Sequence, residues 1–314
     1  MSSTVMRCLV CARVRHWYPG RMFAGGRILL EGRRPMSQKK GSHPLLIAAA
    51  ALAGLGGLGG ALGWARYVEP RRLDVSYWEV PLGGLPIGQE LSLLHLTDLH
   101  VRRLALSPKQ ILTALGPRAL ACRLVCLTGD FCDRPGEVED VRRVLTPLLH
   151  AMAMQDERPV TALAVWGNHD VRTGVDQLEP VLSSLGVRVL DNTAVPVGPI
   201  WVAGVGDLGT KGARLEKAVA AVPPGEPFLL LSHNPAIFAR AAAVGVPLTL
   251  AGHTHGGQVR IPGLSAAWGR RIPYRSGWYR SGNRALYVNR GLGMTWAPVR
   301  LGAPPEAAVF RLVH

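Results

Sequence analysis

The chain has 314 residues, 48% of them hydrophobic and 18% charged, which excludes a disordered segment, a collagen-like fibre and a small disulfide scaffold. Its formal charge of +15 is uneven: residues 1–44 carry nine basic side chains against the single acid Glu31. About half of the excess therefore sits in a short N-terminal segment, and the basicity does not define a nucleic-acid groove. Five cysteines imply no disulfide framework, and the spacing of Cys8 and Cys11, with no second pair, reads as incidental.

The first element is the uncharged run LLIAAAALAGLGGLGGALGW, Leu45 to Trp64. Its length is what a helix needs to cross a bilayer core, and Lys39, Lys40, Arg66, Arg71 and Arg72 flank it. The expectation is a basic segment over 1–44 and a retained transmembrane helix or signal-anchor over 45–65. The Arg33-Arg34 pair keeps an export signal open as the second reading. Gly56 with Gly60, and Gly59 with Gly63, have the GxxxG spacing of close helix contacts. Translation is expected to begin at Met36, which opens a short anchor by itself; from there the flanking charges no longer decide which side of the membrane the remainder faces.

Residues 66–91 read as a linker with an edge strand, Leu73 to Val80, followed by a Pro/Gly turn region. Short apolar runs follow over 91–96, 124–127, 162–165, 201–205, 228–231, 248–251 and 285–288. Bounded by turn residues, they suit strands buried on both faces. Amphipathic stretches at 138–154 and 177–185 predict helices between them, so the domain over 92–314 is α/β with two-sided sheets.

Five of these runs end in residues that bind metals. The first is followed by Asp98-Leu99-His100, the second by Gly129-Asp130, and the third by Gly167-Asn168-His169-Asp170. The run 228–231 leads to Ser232-His233-Asn234, and the run 248–251 to Gly252-His253-Thr254-His255-Gly256-Gly257. Singly, an Asp-x-His, a Gly-Asp or a lone histidine is ordinary turn chemistry or a hydrogen-bonded structural residue. Together and in this order they are a mixed nitrogen and oxygen set suited to Mn²⁺, Fe²⁺ or Zn²⁺. The set is too large for one ion and makes two sites only if one carboxylate is shared. Two-metal sites of this kind are the usual tool for in-line attack on phosphorus esters.

These residues resemble the DxH, GD, GNHD, H, GHxH signature of the calcineurin-like metallophosphoesterase superfamily, over 92–314 or about seventy per cent of the chain. The resemblance implies a four-layer α-β-β-α sandwich of two mixed sheets, here preceded by one transmembrane helix. It implies Asp98, His100, Asp130 and His255 at a first metal and Asp130, Asn168, His233 and His253 at a second. His169 matches the family's non-ligand histidine, which assists the leaving oxygen, with Asp170 orienting it. The cofactors implied are two divalent ions, manganese first, with iron and zinc as the other choices. The reaction implied is attack of a metal-bridging hydroxide on a phosphodiester or pyrophosphate.

A narrower resemblance is to a membrane-linked bacterial branch of phosphodiesterases. It is carried by RYVEPRRLDV at 66–75, GHTHGGQVRIP at 252–262, Tyr274 to Gly277, VNRGLG at 288–293 and APPE at 303–306. Some members act on UDP-2,3-diacylglucosamine in lipid A synthesis, and some relatives are exported by the twin-arginine route. For this chain that implies a phosphoester substrate, lipid-linked, at a bacterial inner membrane, with no nucleic-acid partner. The competing functions are an exported phosphoesterase acting on envelope polymers and a non-catalytic, metal-dependent binding module. Asp133 is expected to brace the Asp130 loop, Arg102 and Arg103 to form a solvated pair, and Cys122 and Cys126 to be buried small hydrophobes. The aromatics Trp268, Tyr274, Trp278, Tyr279 and Trp296 are expected to pack in the core or loops, with a substrate pocket or membrane interface as the other reading.

Overall fold

The computed structural model describes residues 56–155, 159–261 and 273–314. The segment 1–44, Met36, the Cys8 and Cys11 pair, residues 45–55 of the apolar run and Trp268 lie outside the described residues. Of that run, 56–63 are helical and largely exposed. Among the described residues no helix is long and apolar enough to cross a membrane.

Two six-stranded sheets form the domain. The first contains β1 (Asp74–Pro81), β2 (Leu91–Leu96), β3 (Leu124–Leu127), β4 (Thr161–Ala164), β5 (Val187–Val189) and β12 (Glu306–Val313), in the order β1-β12-β2-β3-β4-β5. The second contains β6 (Thr193–Val197), β7 (Ile200–Gly204), β8 (Phe228–Leu231), β9 (Leu248–Ala251), β10 (Gly277–Ser281) and β11 (Arg284–Val288), in the order β10-β11-β9-β8-β7-β6. Both sheets are mixed: β2 to β5 run parallel while β12 opposes β2, and β7, β8, β9 and β11 run parallel between two antiparallel edges.

The central strands read as unbroken apolar runs because each is covered twice. In β2, Leu91 and Leu93 join the core between the sheets, while Leu94 and Leu96 face helices. In β8, Leu229 and Leu231 point into the inter-sheet core and Leu230 into the outer one. Alternation thus persists in packing where it is invisible in polarity. The helices α1 (Pro108–Leu120), α2 (Val138–Ala153) and α4 (Val175–Ser184) cover the first sheet, and α5 (Leu215–Ala220) and α6 (Phe238–Ala243) cover the second. The short α3 (Asn168–Thr173) opens from the end of β4. The result is the four-layer α/β sandwich with two mixed sheets.

Four strands lacked a sequence run. β12, EAAVFRLV, lies between β1 and β2 and is buried on both faces for most of its length, so small alanines replace the bulky alternation expected of a strand. β5, β6 and β10 are three to five residues long and partly exposed. α1 was hidden by Gly116 at φ 63° and Pro117, which kink it, although a Ser107–Gln110 capping box starts it cleanly.

Phe310 anchors the inter-sheet core, fully buried with Tyr287 and Trp278 at ring-centroid distances of 5.1 and 5.9 Å. Phe310→Ala is expected to cost about 3–5 kcal/mol, read as a lower urea midpoint. A loss below about 1 kcal/mol would contradict this placement of the core.

Candidate metal centre

All five loops leave the carboxyl ends of parallel strands: β2, β3 and β4 in one sheet, β8 and β9 in the other. Strand ends held by a rigid sheet are where open α/β folds place their sites. The two sheets are stitched together there. The His253 N–H donates to Asp98 Oδ2 at 2.9 Å, and His233 Nδ1 lies 2.8 Å from the Thr128 carbonyl.

Among the described residues two groups are built from these ligands, beside a third of His100, Asp133 and His169. Asp98, His100 and His255 form one, and Asp130, His233 and His253 the other; within each, one ligand atom per residue lies within 4.8 Å of the others. Asn168 joins the second group, its side-chain amide 3.1 Å from His233 Nε2. Asp130 Oδ2 connects the two, 3.2 Å from His233 Nε2 and 3.6 Å from His100 Nε2. The structure therefore brings together all seven residues singled out as ligands in the sequence.

The donor set fits a cation. Asp98 Oδ2 is occupied by Thr97 Oγ1 and the His253 N–H, whereas Asp98 Oδ1 and His100 Nε2 are buried without a hydrogen bond. In the second group, two imidazole nitrogens, His253 Nδ1 and His233 Nε2, face each other at 3.0 Å. Lone pairs turned toward one another in a dry site repel unless a positive charge lies among them.

The electrostatics say the same. Burial acts to raise Asp130, but His233 and His100 overcome it and hold the carboxyl well below the usual range. Burial acts to lower His233, yet the Asp130 charge and hydrogen bond push it up to about 10. Burial takes His255 down to about 3, leaving a neutral ring.

The backbone is bent to make this convergence. Asp98, His100, Asp130, His253 and His255 all have φ between 37° and 72°, and they are five of the eight described non-glycine residues with positive φ. The left-handed region costs an ordinary residue roughly 1–2 kcal/mol. Glycines make room for the loops to close. A Cβ on Gly167 would lie 2.2 Å from Asp130 Oδ1, and one on Gly252 would lie 2.1 Å from Thr97 Oγ1.

His169 is half-buried beside the first group, its ring 4.9 Å from that of His100. Its orienting partner is Asp133, not Asp170. Asp133 Oδ1 lies 2.7 Å from His169 Nδ1 and 2.8 Å from His100 Nδ1, and its Oδ2 accepts from Arg103 at 2.8 Å. Asp170 instead accepts from the backbone N–H groups of Asp130, Phe131 and Gly167, tying the loops after β3 and β4 together. The physical reason is that both residues lie on α3, and consecutive positions on a helix do not face each other. Burial and the Asp130 charge push Asp170 up to about 7, against the Gly167 and Phe131 donors. Arg103 is thus engaged at the site, while Arg102 is exposed and 3.7 Å from Glu137.

Two residues escaped the sequence reading. Asp207 follows β7 in a Gly-Asp turn; its Oδ2 accepts from Thr210 N, its Oδ1 is buried without a hydrogen bond, and its charge acts on His253. The signal was there, since Gly206-Asp207 ends an apolar run as Gly129-Asp130 does. Arg300 is wholly buried and donates to the carbonyls of Arg290, Gly291, Gly293 and Ala303. It fixes the loop whose Gly293 N–H donates to the Asp98 carbonyl at 2.7 Å. No pattern in a single sequence marks such a residue.

The remaining expectations resolve by position. Cys122 and Cys126 are buried free thiols. Trp278 packs edge-on against Trp78 and Tyr287, and Tyr274 against Tyr279, whereas Trp296 is exposed.

Residues 91–257 match the family described as calcineurin-like phosphoesterase. The chain is similar to the uncharacterized metallophosphoesterase YkuE of Bacillus subtilis, 28% identical over 284 residues, covering 87% of this chain and 95% of the relative. YkoQ of the same organism, also an uncharacterized metallophosphoesterase, is 28% identical over 73% of this chain and 86% of its own length. Phosphodiesterase YaeI of Escherichia coli is 31% identical over 233 residues, 70% of this chain and 82% of the relative.

A metal ion needs His233 neutral, and in the metal-free chain its pKa is raised to about 10. Below that value the proton must leave for the ion to bind, so affinity rises with pH, by about tenfold per unit for one released proton. Titration calorimetry with Mn²⁺ between pH 6 and 9, in buffers of different ionisation enthalpy, is expected to show that release. Buffer-independent heats would contradict it.

Proposed function

Because the chain belongs to the calcineurin-like phosphoesterase family and is a metal-dependent phosphoesterase, we propose that it is a dinuclear hydrolase of phosphodiester or pyrophosphate bonds. The observation that carries the proposal is the single Asp130 oxygen placed between His100 and His233, which joins two ligand groups into one centre. Asp98, His100, Asp130 and His255 would hold one ion, and Asp130, Asn168, His233 and His253 the other. Manganese is the first choice, with iron or zinc also suited to this nitrogen and oxygen set. Bound there, the ions supply Lewis acidity toward the phosphoryl oxygens and a water of lowered pKa.

The chain's own residues do the rest. Asp133 fixes Nδ1 of His169, which leaves Nε2 as the nitrogen that delivers a proton to the departing oxygen. Burial acts to raise Asp133, and the hydrogen bonds from His100 and His169 overcome it, so its carboxylate stays charged to support an imidazolium. Asp170 holds the Asp130 and Asn168 loops in register from behind.

A diester preference is supported by the similarity to phosphodiesterase YaeI. A lipid-linked substrate such as UDP-2,3-diacylglucosamine, met at a bacterial inner membrane, is the finer reading. Its support is the uncharged run 45–64 with its basic flanks.

The test compares Asp130→Asn with His169→Ala in the manganese-loaded chain, on an aryl monoester and an aryl diester. Asp130→Asn is expected to lose metal and turnover together. His169→Ala is expected to keep its metal and lose about 10²–10⁴-fold in turnover. Metal binding without hydrolysis of either ester by the unaltered chain would contradict the enzyme and favour a binding module.

A further inference from the structure

A cavity of about 440 Å³ opens directly onto the metal centre, with His253 and His255 among the residues that line it. Among the described residues no Lys, Arg, Asp or Glu lines it. Its remaining wall is built largely of Pro235, Val259, Pro273, Tyr274 and Trp296, and Trp296 is 68% exposed.

Several of the polar groups in that wall are already committed. Gln258 donates from Nε2 to the carbonyls of Thr295 and Ala297 and accepts at Oε1 from the Thr295 N–H. The Thr254 hydroxyl donates to the Arg275 carbonyl, and Asn234 Oδ1 accepts from the Ala236 N–H. These bonds hold the wall together and leave it a mostly apolar face, with Pro235, Ala236, Val259, Pro273 and Trp296 in the lining. A charged group placed there would lose its hydration without meeting an opposite charge among the described lining residues, whereas a hydrocarbon or aromatic group would gain by leaving water.

We propose that this cavity is the subsite for an uncharged, hydrophobic substituent on the substrate phosphorus, with Trp296 as the residue that selects it. The inference rests on the phosphoesterase reading above and narrows it. The substrate is a phosphodiester carrying an alkyl or aryl group, and a second phosphate does not lie on this side of the metals. Trp296 lines the cavity and is largely exposed, so its indole can cover the flank of a bound group.

The test uses the full chain loaded with Mn²⁺ and a series of methylphosphinates whose second substituent is ethyl, octyl, benzyl or ω-carboxyoctyl. These are singly charged like a diester and have no ester bond to cleave, so calorimetric binding is read separately from turnover. Octyl or benzyl is expected to bind about tenfold or more tightly than ethyl, from burial of the added carbon surface. The larger of the two gains tells a lipid chain from an aromatic group. The ω-carboxyoctyl compound is expected to lose the gain. Trp296→Ala should bring the octyl-to-ethyl ratio toward one, and Trp296→Arg should restore binding of the ω-carboxyoctyl compound. Equal affinities across the series, tighter binding of the carboxylated compound by the unaltered chain, or no binding of the octyl compound would each overturn the proposal. Failure of ester hydrolysis with the chain-length effect intact would overturn the enzymatic reading alone.

Discussion

The structure turns on where the Asp130 carboxylate is put. It is almost wholly buried, one oxygen accepts from the His169 N–H, and the other lies between imidazoles that come from different sheets. An anion in that position is tolerated only with positive charge around it. Without ions, His233 and His100, both with raised pKa beside Asp130, can supply that charge as protons; with ions bound, it would be the ions. Most other features of the site follow from that placement: parallel strands that end together, loops that turn back sharply, and backbone contacts that cross from one sheet to the other.

Convergence at this density strains the chain. Five of the ligand positions hold left-handed backbone, and Gly167 and Gly252 sit where even a methyl group would collide with a neighbouring loop. Such conformations persist where the surroundings over-determine them. Here the surroundings are two hydrophobic cores around the first sheet, the three backbone bonds to Asp170 and the buried Arg300. Arg300 also reaches back toward the chain's early residues. Its N–H donates to the Ala65 carbonyl, and Glu69 accepts from the Ala303 N–H at 2.7 Å, so the segment after the apolar run is held against the loop that supports Asp98.

The sequence exposed the metal-binding loops because each one places Asp, Asn or His just after a buried apolar run. The sheets were legible where strands are buried on both faces by bulky residues, as in β2 and β8. They were hidden where small or exposed residues fill the strand, as in β12 and β5. The assignment of Asp170 to His169 shows a different limit. Adjacency in sequence suggested a partnership that helical geometry forbids, and the true partner, Asp133, lies 36 positions away on another loop. Arg300 and the committed polar groups of the cavity wall belong to tertiary structure alone, since their partners are main-chain carbonyls and N–H groups that any sequence would supply.

The account's central claim is that the two ligand groups make one centre through a shared carboxylate. Electron paramagnetic resonance of the chain titrated with Mn²⁺ tests it most directly. A spin-coupled signal growing in as the second ion binds is the predicted result. Two independent signals of isolated Mn²⁺, with no coupling at full occupancy, would contradict it.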